Sequence, residues 1–349
     1  MSLKSLARSW LIDILAQRDD RYYWRQPHDA RPLPPNARLL LWQPDGKLGD
    51  AIINARFVHD IATQRPDVQI HVACGSGLMP FWSALPGVHA VHDASAGVQR
   101  QALIQAMRGC EAFISFEAFL SLDTVRLLRA IQPQRSIGFS VGRYRLFDDA
   151  VVDTTYEFPR RHVSARLRHL NEILTLQHLE HSDVAATVRQ LPTGRAVLSP
   201  HEGPTVFVNT YAASVDRSLS PASVETLLEL LRKVAPDTRA VVSLPLGKTL
   251  ASLGIKATLA TEVVPADLSV WELLKLIDQC DAVLTPDTAI GHAAAALDKP
   301  VLVFYRDKHY NPVVWTPIGN QVRCALPSLS GDINSFDRQD ATTAFQAWR

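Results

Sequence analysis

Short apolar segments alternate with helical patterns along most of this 349-residue chain. Arg38–Gln43 is a short apolar run, and after a Pro-Asp-Gly loop a helical pattern occupies Ala51–Gln64. Strands that alternate with helices are typical of a parallel sheet with helices on both faces. The pattern therefore predicts an α/β fold. Further strands are predicted at Val68–Ala73, His89–His92, Ala112–Phe116 and Arg135–Phe139.

A segment rich in Pro and Gly, Leu191–Pro204, interrupts the alternation, which then restarts. We predict an N-terminal helix and connector over 1–36 and doubly wound, Rossmann-like domains over 37–195 and 196–349. Since ligands bind beyond the carboxyl ends of parallel strands, two such domains facing each other would place a site in the cleft between them. In the second domain, strands are predicted at Thr205–Asn209, Arg239–Leu244, Ala282–Thr285 and Val301–Phe304, and helices at Pro221–Val234, Ser269–Gln279 and Ala289–Ala296.

Composition and charge narrow the function classes. Hydrophobic residues make up 47% of the chain and charged residues 20%, which is typical of a soluble globular protein. The formal net charge is +1, so nothing predicts a nucleic-acid partner. Four scattered cysteines form no metal-binding spacing, which predicts no metal site and fits a reducing cytoplasm.

The first residues leave two interpretations open. Met1–Gln17 places apolar residues at helical spacing, with Lys4 and Arg8 on the other side. This segment can be a helix packed on the protein, or an interfacial helix that makes a peripheral contact with the inner face of the inner membrane.

The strongest local feature is Ala282–Pro300, with the sequence AVLTPDTAIGHAAAALDKP. A strand ends, a Pro-Asp-Thr turn follows, and a helix of small residues begins. We predict that Asp287 caps this helix and that its remaining N–H groups bind an anion such as a diphosphate. Thr288 and Ala289 are small enough for a phosphate to approach the backbone closely. His292 lies on the same helical face as Thr288. The alternative is an ordinary N-cap before a buried alanine helix.

The second feature is Gln43–Ile53, with the sequence QPDGKLGDAII. Gly46 and Gly49 allow tight turns, and Asp50 lies where the helix begins. Asp50 can be a general base for an incoming hydroxyl, with Lys47 offsetting negative charge nearby. The alternative is that Asp50 only caps the helix.

These two segments resemble glycosyltransferase family 9, the bacterial heptosyltransferases. The family's LGD motif corresponds to Leu48-Gly49-Asp50. Its C-terminal segment, D-T-G/A-x-x-H-x-A-x-A-L-x-K-P, corresponds to Asp287–Pro300, and its aromatic-x-P element corresponds to Trp315 and Pro317.

The resemblance implies a GT-B fold and an inverting enzyme that needs neither metal nor cofactor. It implies a nucleotide-diphosphate sugar donor, usually ADP-heptose, and it makes Asp50 the base. It also implies that the donor phosphates bind at Asp287, Thr288, Ala289 and His292.

Two departures concern the donor. Where the family has an N-P-G loop and a lysine, this chain has Asn209 and, further on, Arg217 as the cationic substitute. Where many members have a glutamate near the ribose, the chain reads Pro245–Lys248, without a carboxylate.

For the acceptor we predict an anionic glycolipid. Lys47, Gly49, Arg143 and Arg145 are predicted to bind either this acceptor or a phosphate. The last two lie in the arginine-rich stretch Arg135–Arg168, which can instead be an ordinary solvated surface.

Two functional hypotheses follow. The first is a cytoplasmic transferase that adds heptose, or a related sugar, to a lipopolysaccharide core or another surface glycan. The second is a non-catalytic nucleotide-sugar or glycan-binding protein that retains the fold. An NAD enzyme is disfavoured, because the glycine fingerprint and the ribose-binding acid are missing.

Overall fold

The computed structural model describes residues 30–117, 121–139, 147–151, 162–179, 182–192, 194–195, 197–256, 259–265, 267–306, 311–319 and 322–348. The segment Met1–Gln17 and the side chains of Arg143 and Arg145 lie outside these residues, so the predictions made for them stay predictions. The chain divides into two compact units between Asp183 and Val184. Within the described ranges no helix is long and apolar enough to cross a bilayer.

The N-terminal unit contains a six-stranded parallel sheet in the order β3-β2-β1-β4-β5-β6. Its strands are β1 Arg38–Gln43, β2 Gln69–Cys74, β3 Val88–Asp93, β4 Ala112–Ser115, β5 Ser136–Phe139 and β6 Asp149–Val151. Its helices are α1 Leu48–Gln64, α2 Met79–Ala84, α3 Val98–Met107, α4 Leu122–Ile131 and α5 Ser164–Ile173. The strand order is that of a Rossmann fold.

The C-terminal unit repeats this topology with a second six-stranded parallel sheet, in the order β12-β11-β10-β7-β8-β9. Its strands are β7 Thr205–Asn209, β8 Arg239–Ser243, β9 Ala260–Val263, β10 Ala282–Pro286, β11 Val301–Tyr305 and β12 Val322–Pro327. Its helices are α6 Val184–Gln190, α7 Pro221–Val234, α8 Val270–Asp278, α9 Ala289–Ala296, α10 Asn311–Val314 and α11 Arg338–Gln346.

The strands that the sequence pattern predicts are all present, but three edge strands were not predicted. β6 begins with Asp149, whose carboxylate accepts a hydrogen bond of 2.6 Å from Arg135 Nε. Every residue of β9 is at least partly exposed, and β12 was assigned no strand pattern. An edge strand does not need the continuous apolar run by which buried parallel strands are recognised.

The division between the units falls before the boundary predicted at 195. α6 packs against α8, and Lys275 Nζ of α8 donates a hydrogen bond of 3.1 Å to Arg189 O. Further along, Arg195 Nη1 forms a 2.8 Å ion pair with Asp267. These contacts attach residues 184–192 and 194–195 to the C-terminal unit, although the Pro/Gly-rich composition that suggested a boundary begins only at Leu191.

A buried carboxylate fixes α5 against α1. Asp60 of α1 has no solvent exposure, and it accepts hydrogen bonds from Asn171 Nδ2 at 2.5 Å and from Leu179 N at 2.9 Å. His178 Nδ1 lies 3.1 Å from the same carboxylate. α5 also carries the buried Arg166, whose charge acts on Asp50 in the first turn of α1.

We expect Asp60→Ala to lower the free energy of unfolding by about 1–3 kcal/mol, because it leaves buried donors without their acceptor. Chemical denaturation of the purified variant measures the loss. The matched control is Asp183→Ala, which removes a partly exposed carboxylate that contacts His59 of the same helix at 2.7 Å. The control should lose less than about 1 kcal/mol. Equal losses would show that the buried network has no special role.

Candidate functional site

The β1–α1 loop forms a tight turn that places polar groups beyond the end of the first strand. Gly46 adopts a φ of 65°, in the left-handed region that favours glycine. α1 then begins at Leu48, with Lys47 as its N-cap and no side-chain cap. Asp50 therefore lies in the first turn and is not the cap, so the alternative interpretation of Asp50 as an N-cap is wrong. Gly49 is helical, so only Gly46 serves the turn.

Asp50 lies in a mixed electrostatic environment. Its side chain is 28% exposed, and its carboxylate lies 3.7 Å from Lys47 Nζ. Lys47 also contacts Asp45 at 3.1 Å. Burial raises the pKa of Asp50 to about 6, with the negative charge of Asp45 and a hydrogen bond with Asp45 adding to the shift, while Lys47 and Arg166 oppose it. A carboxyl group with this pKa can accept a proton near neutral pH.

Two buried amides hold the turn in place. Gln43, the last residue of β1, is 2% exposed, and its Nε2 donates to Lys47 O at 3.3 Å. Asn54 of α1 donates from Nδ2 to Gln43 Oε1 at 3.3 Å. Neither residue was singled out from the sequence. The available signal was a polar residue at the end of an otherwise apolar strand.

A second carboxylate, Glu117, lies beyond the end of β4, the strand next to β1. Burial raises the pKa of Glu117, and the negative charge of Asp45 contributes to the shift. Its carboxylate accepts hydrogen bonds from Ser121 Oγ at 3.2 Å and from Thr124 Oγ1. Thr124 in turn accepts a 2.8 Å hydrogen bond from Trp42 Nε1. Sequence analysis missed Glu117, because a single acid after a predicted strand carries little signal.

In the C-terminal unit the predicted anion site has a different cap from the one expected. Thr288 is the N-cap of α9 and accepts a hydrogen bond of 3.3 Å from Ile290 N, so the prediction that Asp287 caps the helix is wrong. The backbone N–H of Asp287 donates to Phe304 O at 2.9 Å and so continues the β10–β11 pairing. Its carboxylate lies 3.9 Å from Arg217 Nη1.

Asn209, the last residue of β7, holds Thr288 in place. Its side chain is buried, and Nδ2 donates to Thr285 Oγ1 at 3.0 Å, Thr288 Oγ1 at 3.2 Å and Tyr211 O at 3.1 Å. Its amide N–H groups are therefore already engaged. These contacts show that Asn209 supports the turn before α9. The prediction that Asn209 also contacts the donor stays a prediction.

The first turn of α9 contains the remaining predicted donor residues. Ala289 begins the helix, and His292 follows within it, 8% exposed. Gly291 of the same helix is closely packed, since a Cβ there would lie 3.1 Å from Pro317 Cγ and 3.2 Å from Val303 Cγ2. Pro317 of the predicted aromatic-x-P element thus packs against α9 and supports the site structurally.

The C-terminal end of the segment Asp287–Pro300 also has a structural role. Lys299 Nζ donates a hydrogen bond of 2.6 Å to Asp278 O, at the last residue of α8. Asp298 adopts a φ of 56° just after α9 and turns the chain towards β11. The end of the segment therefore forms a helix-terminating turn.

The loop after β8 bears on recognition of the nucleoside. Leu246 is 81% exposed, and Gly247 has a φ of 73°. Lys248 N donates to Pro245 O at 3.0 Å, which closes the turn. The acid expected near a ribose is absent from this loop.

The predicted residues therefore form two groups. One group lies beyond β1 and consists of Lys47, Gly49 and Asp50. The other lies at or beyond the ends of β7 and β10 and consists of Asn209, Arg217, Asp287, Thr288, Ala289 and His292. Among the described residues, no group of three or more His, Cys, Asp and Glu side chains could hold a metal ion.

Comparison with known proteins places this geometry in context. The family described as Glycosyltransferase family 9 (heptosyltransferase) matches residues 249–345, which include β10 and α9. No curated protein sequence matches the chain.

Solved structures match both units. A glycosyltransferase family 9 protein from Veillonella parvula has a TM-score of 0.71 at 12% identity, over 91% of this chain and 98% of that one. Escherichia coli heptosyltransferase WaaC with ADP has a TM-score of 0.68 at 15% identity, over 89% and 100%. Escherichia coli ADP-heptose lps heptosyltransferase II has a TM-score of 0.63 at 15% identity, over 88% and 98%.

At these identities the solved structures show the fold, and they confirm the predicted α/β class of the GT-B type. The sequence of residues 249–345 and the fold of both units together confirm the resemblance to glycosyltransferase family 9, a family of glycosyltransferase enzymes that includes the heptosyltransferases.

Proposed function

We propose that this protein is an inverting glycosyltransferase that moves a heptose, or a related sugar, from a nucleotide-diphosphate donor to a lipopolysaccharide core or another surface glycan. ADP-heptose is the proposed donor. The observation that carries the proposal is the N-terminus of α9, which lies within the segment that matches the family and has Arg217 beside it.

The donor's diphosphate would bind at the first turn of α9. The N-terminus of a helix offers unpaired N–H groups and a partial positive charge, which together favour an anion. Thr288 and Ala289 bring no bulky side chain to this turn. The side chain of Arg217 is 38% exposed, and its guanidinium can form charge-assisted hydrogen bonds with phosphate oxygens. His292 lies at the end of the same turn.

In the proposed reaction, Asp50 accepts the proton of the acceptor hydroxyl as its oxygen attacks the anomeric carbon. Direct displacement inverts that centre and breaks the bond from the sugar to the diphosphate. The negative charge on the leaving nucleoside diphosphate is stabilised at α9 and by Arg217. These groups supply the electrostatic stabilisation without a metal ion.

We assign the acceptor to the N-terminal unit. Lys47 is 69% exposed beside Asp50, and it can contact an anionic group of the glycolipid. Arg143 and Arg145 are proposed to extend this basic surface. A cytoplasmic location, with peripheral contact at the inner membrane, follows from a nucleotide-sugar donor and a membrane-bound acceptor.

The absence of a ribose-binding acid at Pro245–Lys248 supports a second candidate, a non-catalytic nucleotide-sugar-binding protein. The two functions differ in what they require of Asp50. A binding protein has no need of a carboxyl group with a pKa of about 6 at this position.

We expect Asp50→Asn to reduce turnover about 100-fold or more, because asparagine keeps the shape but cannot accept the proton. Turnover is measured as release of ADP from ADP-heptose in the presence of a lipopolysaccharide core acceptor. Donor affinity should stay near that of the wild type.

The matched control is Asp93→Asn, at the carboxyl end of β3, where the carboxylate accepts a hydrogen bond from Ser95 N at 2.8 Å. Turnover of this control should be close to wild type. If Asp50→Asn retains more than about half of wild-type turnover, the base is another group.

Stability gives an independent check on Asp50. A carboxyl group whose pKa is raised on folding stabilises the protein below the unfolded pKa of 3.8, and this contribution is lost as the pH rises through about 6. Asp50→Asn should therefore be at least as stable as the wild type at pH 8. A clear loss of stability there would contradict the environment described for Asp50.

The pH dependence of kcat/KM should show an acidic limb near the pKa of Asp50, about 6. Asp45→Asn removes a negative charge beside Asp50, so the limb should move to lower pH. Lys47→Met removes a positive charge and should move it to higher pH. A limb that is unchanged in both variants would exclude Asp50 as the group that titrates.

Arg217→Ala should weaken ADP binding by about tenfold, since a charge-assisted phosphate contact is lost. Isothermal titration calorimetry measures the dissociation constant. Arg195→Ala is the matched control, because Arg195 is also an exposed, ion-paired arginine of the C-terminal unit. Equal affinities of the two variants would remove Arg217 from the donor site.

A further inference from the structure

An arginine that the sequence analysis did not single out lies at the carboxyl end of the same sheet as the proposed donor site. Arg306 directly follows β11, the strand that pairs with β10. Its Nη1 forms an ion pair with Asp216 Oδ2, and the two side chains are 53% and 56% exposed. Asp216 is the residue before Arg217 in the short 3-10 turn Val215–Arg217.

Four charged side chains of alternating sign therefore lie near one another at the carboxyl ends of these strands. They are Arg306, Asp216, Arg217 and Asp287. Arg306 contacts Asp216, the charge of Arg217 acts on Asp216, and Arg217 lies 3.9 Å from Asp287. A hydrogen bond with Ser214 lowers the pKa of Asp216, and the charges of Arg306 and Arg217 lower it further. Asp216 is therefore a carboxylate at neutral pH. The four side chains sum to zero, and without Arg306 the remaining three carry a net charge of −1.

This balance matters for an anionic ligand. Asp216 is adjacent in sequence to Arg217, and without another cation it would both repel a diphosphate and attract the guanidinium that should bind it. Arg306 offsets the charge of Asp216 from the other side. Since exposed ion pairs contribute little to stability, the effect of this pair should appear mainly in ligand binding.

The backbone on both sides of the ion pair is held in place. Arg306 O accepts a hydrogen bond of 2.6 Å from Oγ of Ser328, a residue that is 1% exposed. On the other side, Arg217 N donates to Ser214 O at 3.2 Å, and Ser218 N donates to Val215 O at 3.0 Å. The ion pair thus joins two segments whose backbones are already fixed.

We propose that Arg306 is a positioning residue of the diphosphate site, which binds the carboxylate of Asp216 and so keeps Arg217 available for the donor. This inference rests on the proposed function. Arg306 acts through Asp216, so removing Arg306 should be harmful only while Asp216 is charged.

A double-mutant cycle tests this with ADP as the probe and calorimetry as the measurement. Arg306→Ala should weaken ADP binding by about tenfold at low salt, and the effect should shrink at high salt. Asp216→Asn should bind ADP as tightly as the wild type or more tightly. The double variant should return to within about twofold of Asp216→Asn, since no carboxylate remains to be neutralised.

The control cycle uses Arg195→Ala and Asp267→Asn, an exposed ion pair of 2.8 Å in the same unit, and it should leave ADP binding unchanged. Unchanged binding in Arg306→Ala would overturn the inference. So would a double variant as weak as Arg306→Ala, because Arg306 would then contact the ligand directly or support the fold. If the wild type binds none of ADP, UDP, GDP and CDP, the proposed function itself fails, and the inference fails with it.

Discussion

Parallel strand pairing is the constraint on which both candidate sites depend. β7 pairs with β10 in a register that places Val208 beside Leu284, so Asn209 lies next to Thr285 and the turn that follows it. In the other unit, β1 pairs with β4 with Trp42 beside Ser115, and the chains that leave these strands carry Asp45 and Glu117. Residues that are distant in sequence meet at one edge because neighbouring strands run in the same direction.

The charged groups at the carboxyl ends of the strands differ between the two units. Beyond β1 and β4, burial and the negative charge of Asp45 raise the pKa of Asp50 and of Glu117, and the charges of Lys47 and Arg166 oppose the shift at Asp50. Beyond β7, β10 and β11, carboxylates are matched by arginines, and a helix N-terminus adds a partial positive charge. The first environment suits acceptance of a proton and the second suits binding of an anion, so the chemistry proposed here divides between the units.

The sequence predicted central strands well and details of the sites less well. Central strands such as β7 and β10 are buried along their whole length, and this makes them recognisable as apolar runs. β9 is an edge strand without that signal. Asp287 was expected to cap α9, but its backbone still belongs to the sheet pairing, and this leaves the cap to Thr288. Whether Asp287 or Thr288 is the N-cap depends on the residue at which the strand pairing ends, and composition does not encode that residue.

We propose that one enzyme binds a nucleotide-diphosphate sugar in the C-terminal unit and transfers the sugar with a base from the N-terminal unit. The most direct measurement is incubation of the protein with ADP-heptose and a heptose-free lipopolysaccharide core in the presence of EDTA, followed by mass spectrometry and NMR of the glycan. We expect one heptose to be added through an inverted anomeric linkage for each ADP released. Failure to modify the glycan while ADP-heptose is bound, or transfer that requires a divalent cation, would contradict it.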